Sequence, residues 1–253
     1  RDSNEYGIKL NKNLGQNYLI DRNKRDQIIQ FGNLTKDDVV LEIGPGIGTL
    51  TIELAKRVKK VIAIEQDSNI CQILENRLKK ENIDNVELIN DDALNVEFPK
   101  FDKIISNLPY QISSPITFKF LNYDFQLAIL MYQKEFASRM NGKVGSKDYS
   151  RLSAMLYFKC DVDLLTGVSA ESFIPKPKVD STVVRLTPKL PELNGQLKHL
   201  NINEINEKDF KTYSKFVKAL FQHRNKKVKN ALIDSRHIIT CLLYTSDAAD
   251  DKA

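Results

Sequence analysis

The chain has 253 residues, of which 42% are hydrophobic and 28% are charged, and its formal net charge is +5. This is the composition of an ordinary soluble globular protein with one large domain, or one and a half. No apolar run approaches membrane-spanning length, and the first residues do not have the pattern of a signal peptide.

The positions of the cysteines and histidines limit the kinds of catalysis and metal binding that the sequence predicts. Cys71, Cys160 and Cys241 lie far apart and lack the spacing of metal ligands, so we expect a reducing, cytoplasmic compartment. All three histidines come after residue 198. Histidine-based catalysis and a zinc site are therefore not expected.

Charge is unevenly distributed along the chain. Residues 1–25 hold six Lys or Arg against three Asp or Glu, residues 26–190 hold 21 against 22, and residues 207–236 hold nine against three. A near-neutral body with two basic ends predicts a phosphate-binding footprint built from both termini. For either end alone, a solvated charged face is a competing interpretation.

The two ends of the sequence do not resemble natural termini. The sequence begins with Arg1, and after about Ile239 the basic helical pattern gives way abruptly to CLLYTSDAADDKA. We interpret residues 240–253 as a non-native tail. We expect that the natural start is missing or processed and that natural C-terminal residues have been lost.

The first half of the chain alternates strands and helices. A basic loop punctuated by Gly15 precedes a short amphipathic helix, which is predicted from Asp21 onwards. Apolar runs then predict buried strands at 38–43, 61–65, 86–89, 103–107 and 126–131, with helices after residue 49, at 70–78 and at 116–121. This alternation implies right-handed crossovers and a mostly parallel, doubly wound α/β sheet.

The second half predicts further elements and a linker. A helix is predicted at 149–159, and strands at 162–168 and 179–187. Residues 189–206 are polar with a proline and a glycine, so we interpret them as a linker. Apolar residues between Phe210 and Phe221 follow helical spacing, and the basic run after them begins the turn to another helix.

A glycine loop follows the first strand of the predicted sheet. Its glycines stand at 44, 46 and 48 in the order E-x-G-x-G-x-G, and Glu65 ends the next strand 21 residues after Gly44. A dinucleotide fingerprint needs its third glycine where Thr49 stands. S-adenosylmethionine suits the loop better, because it offers a ribose to Glu65, has no pyrophosphate, and needs close approach of the backbone to its methionine moiety. The alternatives are that Glu65 is a surface strand end and that Asp92 is a helix cap.

The fourth strand ends in Asn107-Leu108-Pro109-Tyr110. Pro109 disfavours helical backbone at Leu108, so the chain leaves the strand extended. The Asn107 amide oxygen and a backbone carbonyl are then free to accept hydrogen bonds beside an aromatic ring, which suits the exocyclic amine of a flat base. A plain exit from strand to loop is the alternative, but the three preceding strand ends also carry glycines or an acid.

These motifs belong to a wider family resemblance. The stretches that carry it are LGQNYLIDRN at 14–23, VLEIGPGIGTLT at 40–51, NLPYQISSPITFK at 107–119, MYQKEF at 131–136, YSRLSA at 149–154, SFIPKPKVDSTVVRL at 172–186 and FQHRNKKVKNAL at 221–232. From about Lys9 to Ser235 the chain resembles the small-subunit rRNA adenine N6-dimethyltransferases (the KsgA-type family), and its last motif is most similar to the archaeal branch. Ser150 departs from the family, which has glycine there. Of Asp91 and Asp92, we assign adenine binding to Asp92, because Ala93 follows it as in the family's pair.

The resemblance implies a role for each site residue. The cofactor-binding residues that it implies are Gln16, Asn17, Leu19, Gly44, Gly46, Glu65, Asp92, Ala93 and Asn107. It implies that Asn107 and the Leu108 carbonyl accept hydrogen bonds from the target N6, next to Pro109, and that Tyr110 packs on the base. It also places Phe173 as a second aromatic facing the flipped adenine; a core phenylalanine near a proline-rich turn is the alternative.

The resemblance also implies a fold and an activity. The fold is a Rossmann-like class I S-adenosylmethionine-dependent methyltransferase domain at 1–188 with a basic N-terminal arm, a linker at 189–206 and a truncated helical RNA-binding domain at 207–239. The activity is dimethylation of two adjacent adenines in a small-subunit rRNA hairpin loop during ribosome biogenesis, by a cytoplasmic monomer without a metal. We expect rRNA backbone contacts from Arg224, Lys226, Lys227 and Lys229.

Other functions remain as alternatives. A large-subunit rRNA adenine methyltransferase of the antibiotic-resistance type shares the fold and the NLPY motif, although the motifs at 172–186 and 221–232 argue against it. A ribosome-assembly or transcription factor on the same fold would be catalytically silent, although such a binder would not need the glycine loop, Glu65 and NLPY together. A DNA adenine methyltransferase would carry a target-recognition insert, and none is apparent.

Overall fold

The computed structural model describes residues 17–189, 207–223 and 225–236. Gln16, Arg224, the predicted linker beyond Lys189 and the predicted tail at 240–253 lie outside these ranges. The described residues fall into two compact units. The first unit contains residues 17–141 and 160–188, and the second contains residues 142–159 together with the described residues from 189 onwards.

The first unit is an α/β structure. Its strands are β1 (Tyr18–Leu19), β2 (Val39–Ile43), β3 (Lys60–Glu65), β4 (Val86–Asn90), β5 (Lys103–Asn107), β6 (Leu127–Gln133), β7 (Cys160–Val168), β8 (Phe173–Ile174) and β9 (Ser181–Pro188). Its α-helices are α1 (Arg22–Phe31), α2 (Thr51–Ala55), α3 (Ser68–Lys80), α4 (Ser113–Phe120) and α5 (Lys134–Met140). The second unit contains α6 (Arg151–Lys159), α7 (Glu207–Gln222) and α8 (Val228–Asp234). No helix in the described part of the chain is long and apolar enough to span a bilayer.

Seven strands form one sheet in the order β4-β3-β2-β5-β6-β9-β7. The strands from β4 to β6 are parallel to their neighbours, whereas β9 is antiparallel to both β6 and β7. β1 and β8 form a separate antiparallel pair. The mostly parallel, doubly wound sheet expected from the sequence is therefore confirmed, with an antiparallel pair of strands at one end.

The central strands read as nearly continuous apolar sequence because both of their faces are buried. Val40, Leu41, Ile104, Ile105 and Leu130 are all 0% exposed. By contrast, exposed and half-buried residues recur along β7, as they do on a strand at the end of a sheet with one solvated face. The core of the first unit thus lies on the strands that surround the glycine loop.

Side-chain caps fix where two of the helices begin. The Asp21 carboxylate accepts a hydrogen bond from the Lys24 amide at 3.1 Å and so caps α1. The Asp67 carboxylate accepts from the Asn69 and Ile70 amides and so caps α3. Because α3 starts two residues after β3, its cap also fixes the loop that follows Glu65.

The strand order reverses between β2 and β5. The chain runs outwards from β2 through β3 to β4, and then returns to β5 on the other side of β2. In doubly wound sheets, ligands bind outside the carboxyl ends of the strands at such a switch point. The glycine loop follows β2 and Asn107 ends β5, so the topology brings the two sequence motifs to this point.

Two features of the first unit were not expected from the sequence. Helix α5 begins directly after β6 without a side-chain cap and is only seven residues long. Strands β1 and β8 have two residues each, which is too short to show the alternation of a strand. The two short strands depend on pairing with each other across the chain rather than on a local pattern.

The boundary between the two units differs from that of the domain predicted at 1–188. It contains residues 142–159 as well as the helices after residue 206. The rings of Phe158 and Tyr213 lie 4.3 Å apart, and those of Tyr149 and Phe221 lie 5.7 Å apart. The Tyr213 hydroxyl also donates to the Ala154 carbonyl at 3.1 Å. These contacts explain why α6 groups with helices that begin 48 or more residues after α6 ends.

A buried ion pair fixes the start of two central strands. Lys103 Nζ lies 2.9 Å from Asp38 Oδ2 and donates to the Asn33 carbonyl at 2.7 Å, and the two charged side chains are 9% and 7% exposed. Burial alone would raise the pKa of Asp38, but hydrogen bonds from the Thr35 amide and Lys103 outweigh it, so the pKa lies below its ordinary value. Asp38 directly precedes β2 and Lys103 begins β5, so the pair stabilises the strands at the switch point.

We predict that Lys103→Met lowers the free energy of unfolding by about 3–5 kcal/mol, because it leaves the Asp38 carboxylate buried without a cation. Lys60→Met is the matched control, since the pair of Lys60 with Glu87 at 2.5 Å is about 40% exposed, and its loss should cost less than about 1 kcal/mol. Urea denaturation measures both. The contribution of Asp38 is present above its unfolded pKa and is lost as the pH falls through the lowered folded value, so the effect of Lys103→Met should shrink below about pH 4. Equal losses in the two variants at neutral pH would contradict the assigned role.

Candidate active site

A cavity of the first unit opens at the carboxyl ends of β2, β3, β4 and β5. The predicted site residues that line it are Asn17, Leu19, Gly44, Gly46, Glu65, Asp92, Ala93, Asn107, Leu108, Pro109 and Tyr110. Phe173 does not line it, and Gln16 lies outside the described residues. The structure thus brings residues that are up to 93 positions apart into one site.

The glycine loop is clamped between two side chains. Gly44 and Gly46 have φ angles of +67° and +55°, which side-chain-bearing residues rarely adopt. A Cβ atom at Gly46 would lie 2.7 Å from the Tyr18 ring, and one at Gly44 would lie 3.0 Å from the Pro109 ring. Glycine is therefore required here both by the backbone angles and by the closeness of β1 and of the NLPY motif.

Glu65 is held at the end of β3 by backbone amides. Its Oε2 accepts from the Gly46 amide at 3.3 Å, and its Oε1 accepts from the Asp67 amide at 3.0 Å. Burial raises the pKa of this carboxyl, and the amide hydrogen bonds only partly oppose the rise. The Gln66 amide also bonds to this carboxylate. A carboxylate has about four acceptor positions, so acceptor capacity remains for a ligand in the cavity.

Glu42 is a site residue that the sequence analysis did not assign. It lines the cavity, its side chain is 2% exposed, and its Oε2 has no hydrogen-bond partner. Burial raises the pKa of Glu42 to about 8; the Thr51 side chain opposes the rise, and the nearby charge of Glu65 adds to it. The sequence shows Glu42 as the acid of the E-x-G-x-G-x-G motif. It does not show that Oε2 lacks a hydrogen-bond partner, because that depends on how the surrounding residues pack. A buried oxygen without a partner marks a place for a donor or a cation in a ligand.

The lining of the cavity has one sign of charge. Of the described residues that line it, five are acidic (Glu42, Glu65, Asp67, Asp91 and Asp92) and none is Lys or Arg. A pyrophosphate would be repelled from such a site, whereas a cation would be attracted. The charge of the cavity therefore argues against a dinucleotide and favours a positively charged ligand.

The loop after β4 is held by hydrogen bonds among its own residues and by hydrogen bonds from a lysine of α4. The Asp92 carboxylate accepts from the Leu94 amide at 2.9 Å and from Asn95 Nδ2 at 3.2 Å. From α4, Lys119 Nζ donates to the carbonyls of Ala93 at 2.9 Å and Val96 at 2.5 Å. Asp92 thus acts as a cap in its own turn, and it also faces the cavity, so the two interpretations offered for it are compatible.

Asn107 is oriented by the segment that precedes β1. Its Nδ2 donates to the Asn17 carbonyl at 3.0 Å. The amide oxygen, Oδ1, is consequently the end left to accept a hydrogen bond at the cavity. A side chain held in this way meets the requirement for an acceptor that was inferred from NLPY.

Tyr110 is also anchored. Its hydroxyl lies 2.6 Å from Ser181 Oγ at the start of β9, and burial raises the pKa of the phenol. The ring is half-buried and lines the cavity beside Asn107. An anchored ring next to a hydrogen-bond acceptor provides the flat surface that a base would stack on.

Phe173 lies in the hydrophobic core and not in the cavity. It is 2% exposed, is opposite Leu19 in the β1–β8 pair, and belongs to the buried cluster that includes Ile28 and Ile105. The pairing with β1 turns this ring inwards. The arrangement is that of a core phenylalanine, so the target-facing role implied by the resemblance has no support in this structure.

The predicted RNA-binding residues belong to the second unit. Lys226, Lys227 and Lys229 are exposed, and Arg224 lies outside the described residues. Lys226 Nζ pairs with Asp234 Oδ2 at 2.5 Å, and this hydrogen bond lowers the pKa of Asp234. Lys226 is therefore partly neutralised, and among the described residues of this segment Lys227 and Lys229 carry the remaining exposed positive charge. In the described part of the chain, no group of three or more His, Cys, Asp and Glu has the arrangement of a metal site.

Comparison with known proteins gives a consistent result. The family model for "Ribosomal RNA adenine dimethylase" matches residues 7–241. A probable ribosomal RNA small subunit methyltransferase A from Methanosphaera stadtmanae is 51% identical over 233 residues, which are 92% of this chain and 80% of that protein. The crystal structure of a dimethyladenosine transferase from Plasmodium falciparum is similar with a TM-score of 0.73 and 36% identity, over 85% of this chain and 74% of that one. The crystal structure of the 23S rRNA methyltransferase ErmE has a TM-score of 0.67 and 30% identity, over 86% of this chain and 84% of that one.

We predict that Glu42 makes stability depend on pH in a distinctive way. Its pKa is raised in the folded protein to about 8, so between about pH 4.5 and pH 8 the folded state holds a proton that the unfolded state has released. The free energy of unfolding should therefore fall as the pH rises through this range, by up to about 1.4 kcal/mol per pH unit. Glu42→Gln keeps the shape and removes the titration, so its stability should fall less steeply. Urea denaturation at pH 5, 6, 7 and 8 compares the two slopes, and equal slopes would show that Glu42 titrates normally.

Proposed function

The chain belongs to the ribosomal RNA adenine dimethylase family, and on that premise we propose that it transfers methyl groups from S-adenosylmethionine to N6 of two adjacent adenines in small-subunit rRNA. Its relatives of up to 51% identity are archaeal proteins named as probable ribosomal RNA small subunit methyltransferases A. The observation within this structure that carries the proposal is the oriented amide of Asn107. It stands beside the anchored Tyr110 ring, at the edge of an acidic cavity.

The cavity fits S-adenosylmethionine in charge and in hydrogen bonding. The molecule carries a sulfonium and an ammonium group, and the cavity offers acidic side chains including the partnerless Oε2 of Glu42. The lone pairs left on Glu65 suit ribose hydroxyls, and Asp92 with the buried Ala93 would receive the adenine. The glycine loop leaves room for the methionine moiety, because its backbone approaches the cavity without side chains.

When bound, S-adenosylmethionine supplies a methyl group that N6 attacks, the S–C bond breaking with its electron pair on sulfur while the N–C bond forms. The lone pair of N6 is delocalised into the ring of adenine, so the amine is a weak nucleophile. Asn107 Oδ1 and the Leu108 carbonyl are the acceptors that would hold the two N6 hydrogens, favour a pyramidal nitrogen and direct its lone pair. Tyr110 would hold the flipped base by stacking.

Proton release needs no dedicated base. Once N6 has gained a methyl group and a positive charge, it is far more acidic than the starting amine and releases a proton to solvent. Alignment of the two reactants then supplies most of the rate enhancement. The hydrogen bond from Asn107 Nδ2 to the Asn17 carbonyl contributes to this alignment, because it prevents the amide from turning its donor end towards N6.

The identity of the rRNA distinguishes this proposal from its nearest rival. ErmE, named as a 23S rRNA methyltransferase, has the same fold at 30% identity, so the fold alone does not select a subunit. The relatives of 47% to 51% identity with small-subunit names favour the small subunit. A catalytically silent assembly factor would have no use for both a partnerless buried acid and an oriented amide in one cavity. Together with the archaeal relatives, a small-subunit substrate supports the proposal that the enzyme works in the cytoplasm.

We predict that Asn107→Ala lowers kcat by about 100-fold or more, because an acceptor that matters chiefly as N6 becomes pyramidal is lost. RNA affinity should change by less than about threefold. The matched control is Asn122→Ala, since Asn122 is exposed at the end of α4 and bonds only to its own helix. Methyl transfer to small subunits from a methylation-null host, followed by mass spectrometry of the digested rRNA, measures the product. Wild-type protein that modifies only large-subunit rRNA would overturn the proposed function. An Asn107→Ala variant with normal turnover would overturn the role of Asn107.

We also predict a role for the basic segment of the second unit in binding rRNA phosphates. Lys227→Ala/Lys229→Ala should weaken binding to the subunit and flatten its dependence on salt by about 0.7–0.9 log units for each lost contact. Cofactor affinity should be unchanged, because the cavity residues belong to the first unit. Lys79→Ala/Lys80→Ala removes the same charge from an exposed end of α3 and should leave the salt dependence unaltered. If the two double variants have the same slope, these lysines form only a solvated face.

A further inference from the structure

The contact between Tyr110 and Ser181 links the NLPY motif to a distant strand. The two oxygens lie 2.6 Å apart, although the residues are separated by 71 positions. Tyr110 follows β5, whereas Ser181 begins β9, and β6 lies between these strands in the sheet. The contact therefore crosses a strand that contributes neither partner.

Ser181 is held in place by the two strands that pair with β9. It is 1% exposed and is opposite both Gln133 on β6 and Val168 on β7. Its hydroxyl bonds to that of Tyr110, which lines the cavity. A hydroxyl mounted between two paired strands has little freedom, so it fixes the far end of the Tyr110 ring.

The two methyl transfers to one adenine place different demands on this ring. Unmodified N6 has two hydrogens, which match two acceptors, Asn107 Oδ1 and the Leu108 carbonyl. The first transfer forms one N–C bond and releases one proton, so the monomethylated nitrogen has a single hydrogen. That hydrogen satisfies only one acceptor, and the second transfer, which forms another N–C bond and releases the last proton, starts from an amine with less directional support.

We propose that Ser181 is a positioning residue, which holds the Tyr110 ring through its hydroxyl and so makes the second methyl transfer efficient. The inference rests on the proposed function, since it assigns the ring to the target adenine. In the first transfer the two acceptors and the ring together orient the base. In the second transfer only one acceptor is satisfied, so orientation of the base depends more on the Tyr110 ring. Loss of the hydrogen bond that holds this ring therefore slows the second transfer more than the first.

The test uses the whole chain with small subunits from a methylation-null host, under single-turnover conditions. Mass spectrometry of digested rRNA follows unmodified, monomethylated and dimethylated adenosine over time, and the time course gives one rate constant for each transfer. The variants are Ser181→Ala, Tyr110→Phe and the double variant, each of which removes hydroxyl groups only. The matched control is Tyr132→Phe, because Tyr132 bonds to Thr117 at 2.7 Å, is fully buried and does not line the cavity.

We expect the rate constant of the second transfer to fall about fivefold in Ser181→Ala, as the loss of one hydrogen bond predicts, while that of the first changes by less than about twofold. Monomethyladenosine should accumulate. Tyr110→Phe removes the same contact from the other side, so the double variant should be no worse than Tyr110→Phe alone, because a contact that is already lost cannot be lost again. Tyr132→Phe should leave the ratio of the two rate constants unchanged.

Three results would overturn the inference. They are equal effects on both transfers, additive effects in the double variant, and no effect of either single variant. If Ser181→Ala does not fold, Ser181→Cys replaces it, since it keeps the size of the side chain and weakens the hydrogen bond to Tyr110, with the same Tyr132→Phe control. Failure of the proposed function is a separate outcome, because the wild-type chain would then leave the adenines of the small subunit unmodified.

Discussion

The close approach of three backbone segments at the switch point is the constraint on which the site depends. The parallel pairing of β2 with β5 sets the glycine loop against Pro109, and β1 sets Tyr18 against Gly46. A side chain at either glycine would force these segments apart. Because the loop and the NLPY motif share this contact, the region proposed for the methyl donor and the region proposed for the target base are fixed relative to each other. Alignment of reactants, which the chemistry requires, thus follows from the packing of the sheet.

The sequence predicted the features that depend on local pattern. The apolar runs that became β2, β3, β5 and β6 identified the sheet, because strands buried on both faces need apolar side chains at every position. The strand ends then identified the site, since the carboxyl ends of neighbouring parallel strands meet at one edge. Most of the predicted cavity residues could be named in this way, and the family resemblance supplied Asn17, Leu19 and Ala93.

The features that sequence could not supply depend on long-range packing. The lack of a partner for Glu42 follows from what surrounds it, and the motif shows only that an acid is present. Phe173 turned out to be a core residue because β8 pairs with β1, and two-residue strands have no pattern to detect. Residues 142–159 group with the C-terminal helices through contacts such as that of Phe158 with Tyr213. In each case the deciding neighbour is distant in sequence.

The uniform charge of the cavity has a consequence for turnover. The sulfonium ion loses its positive charge when the methyl group leaves, so the spent donor is less well matched to the ionised acidic side chains of the cavity than the fresh one. Two methyl groups on each of two adenines require the donor to be exchanged repeatedly while the same subunit is being processed. If the acidic cavity holds the charged donor, the loss of that charge would weaken the attraction to the spent form and so favour its exchange.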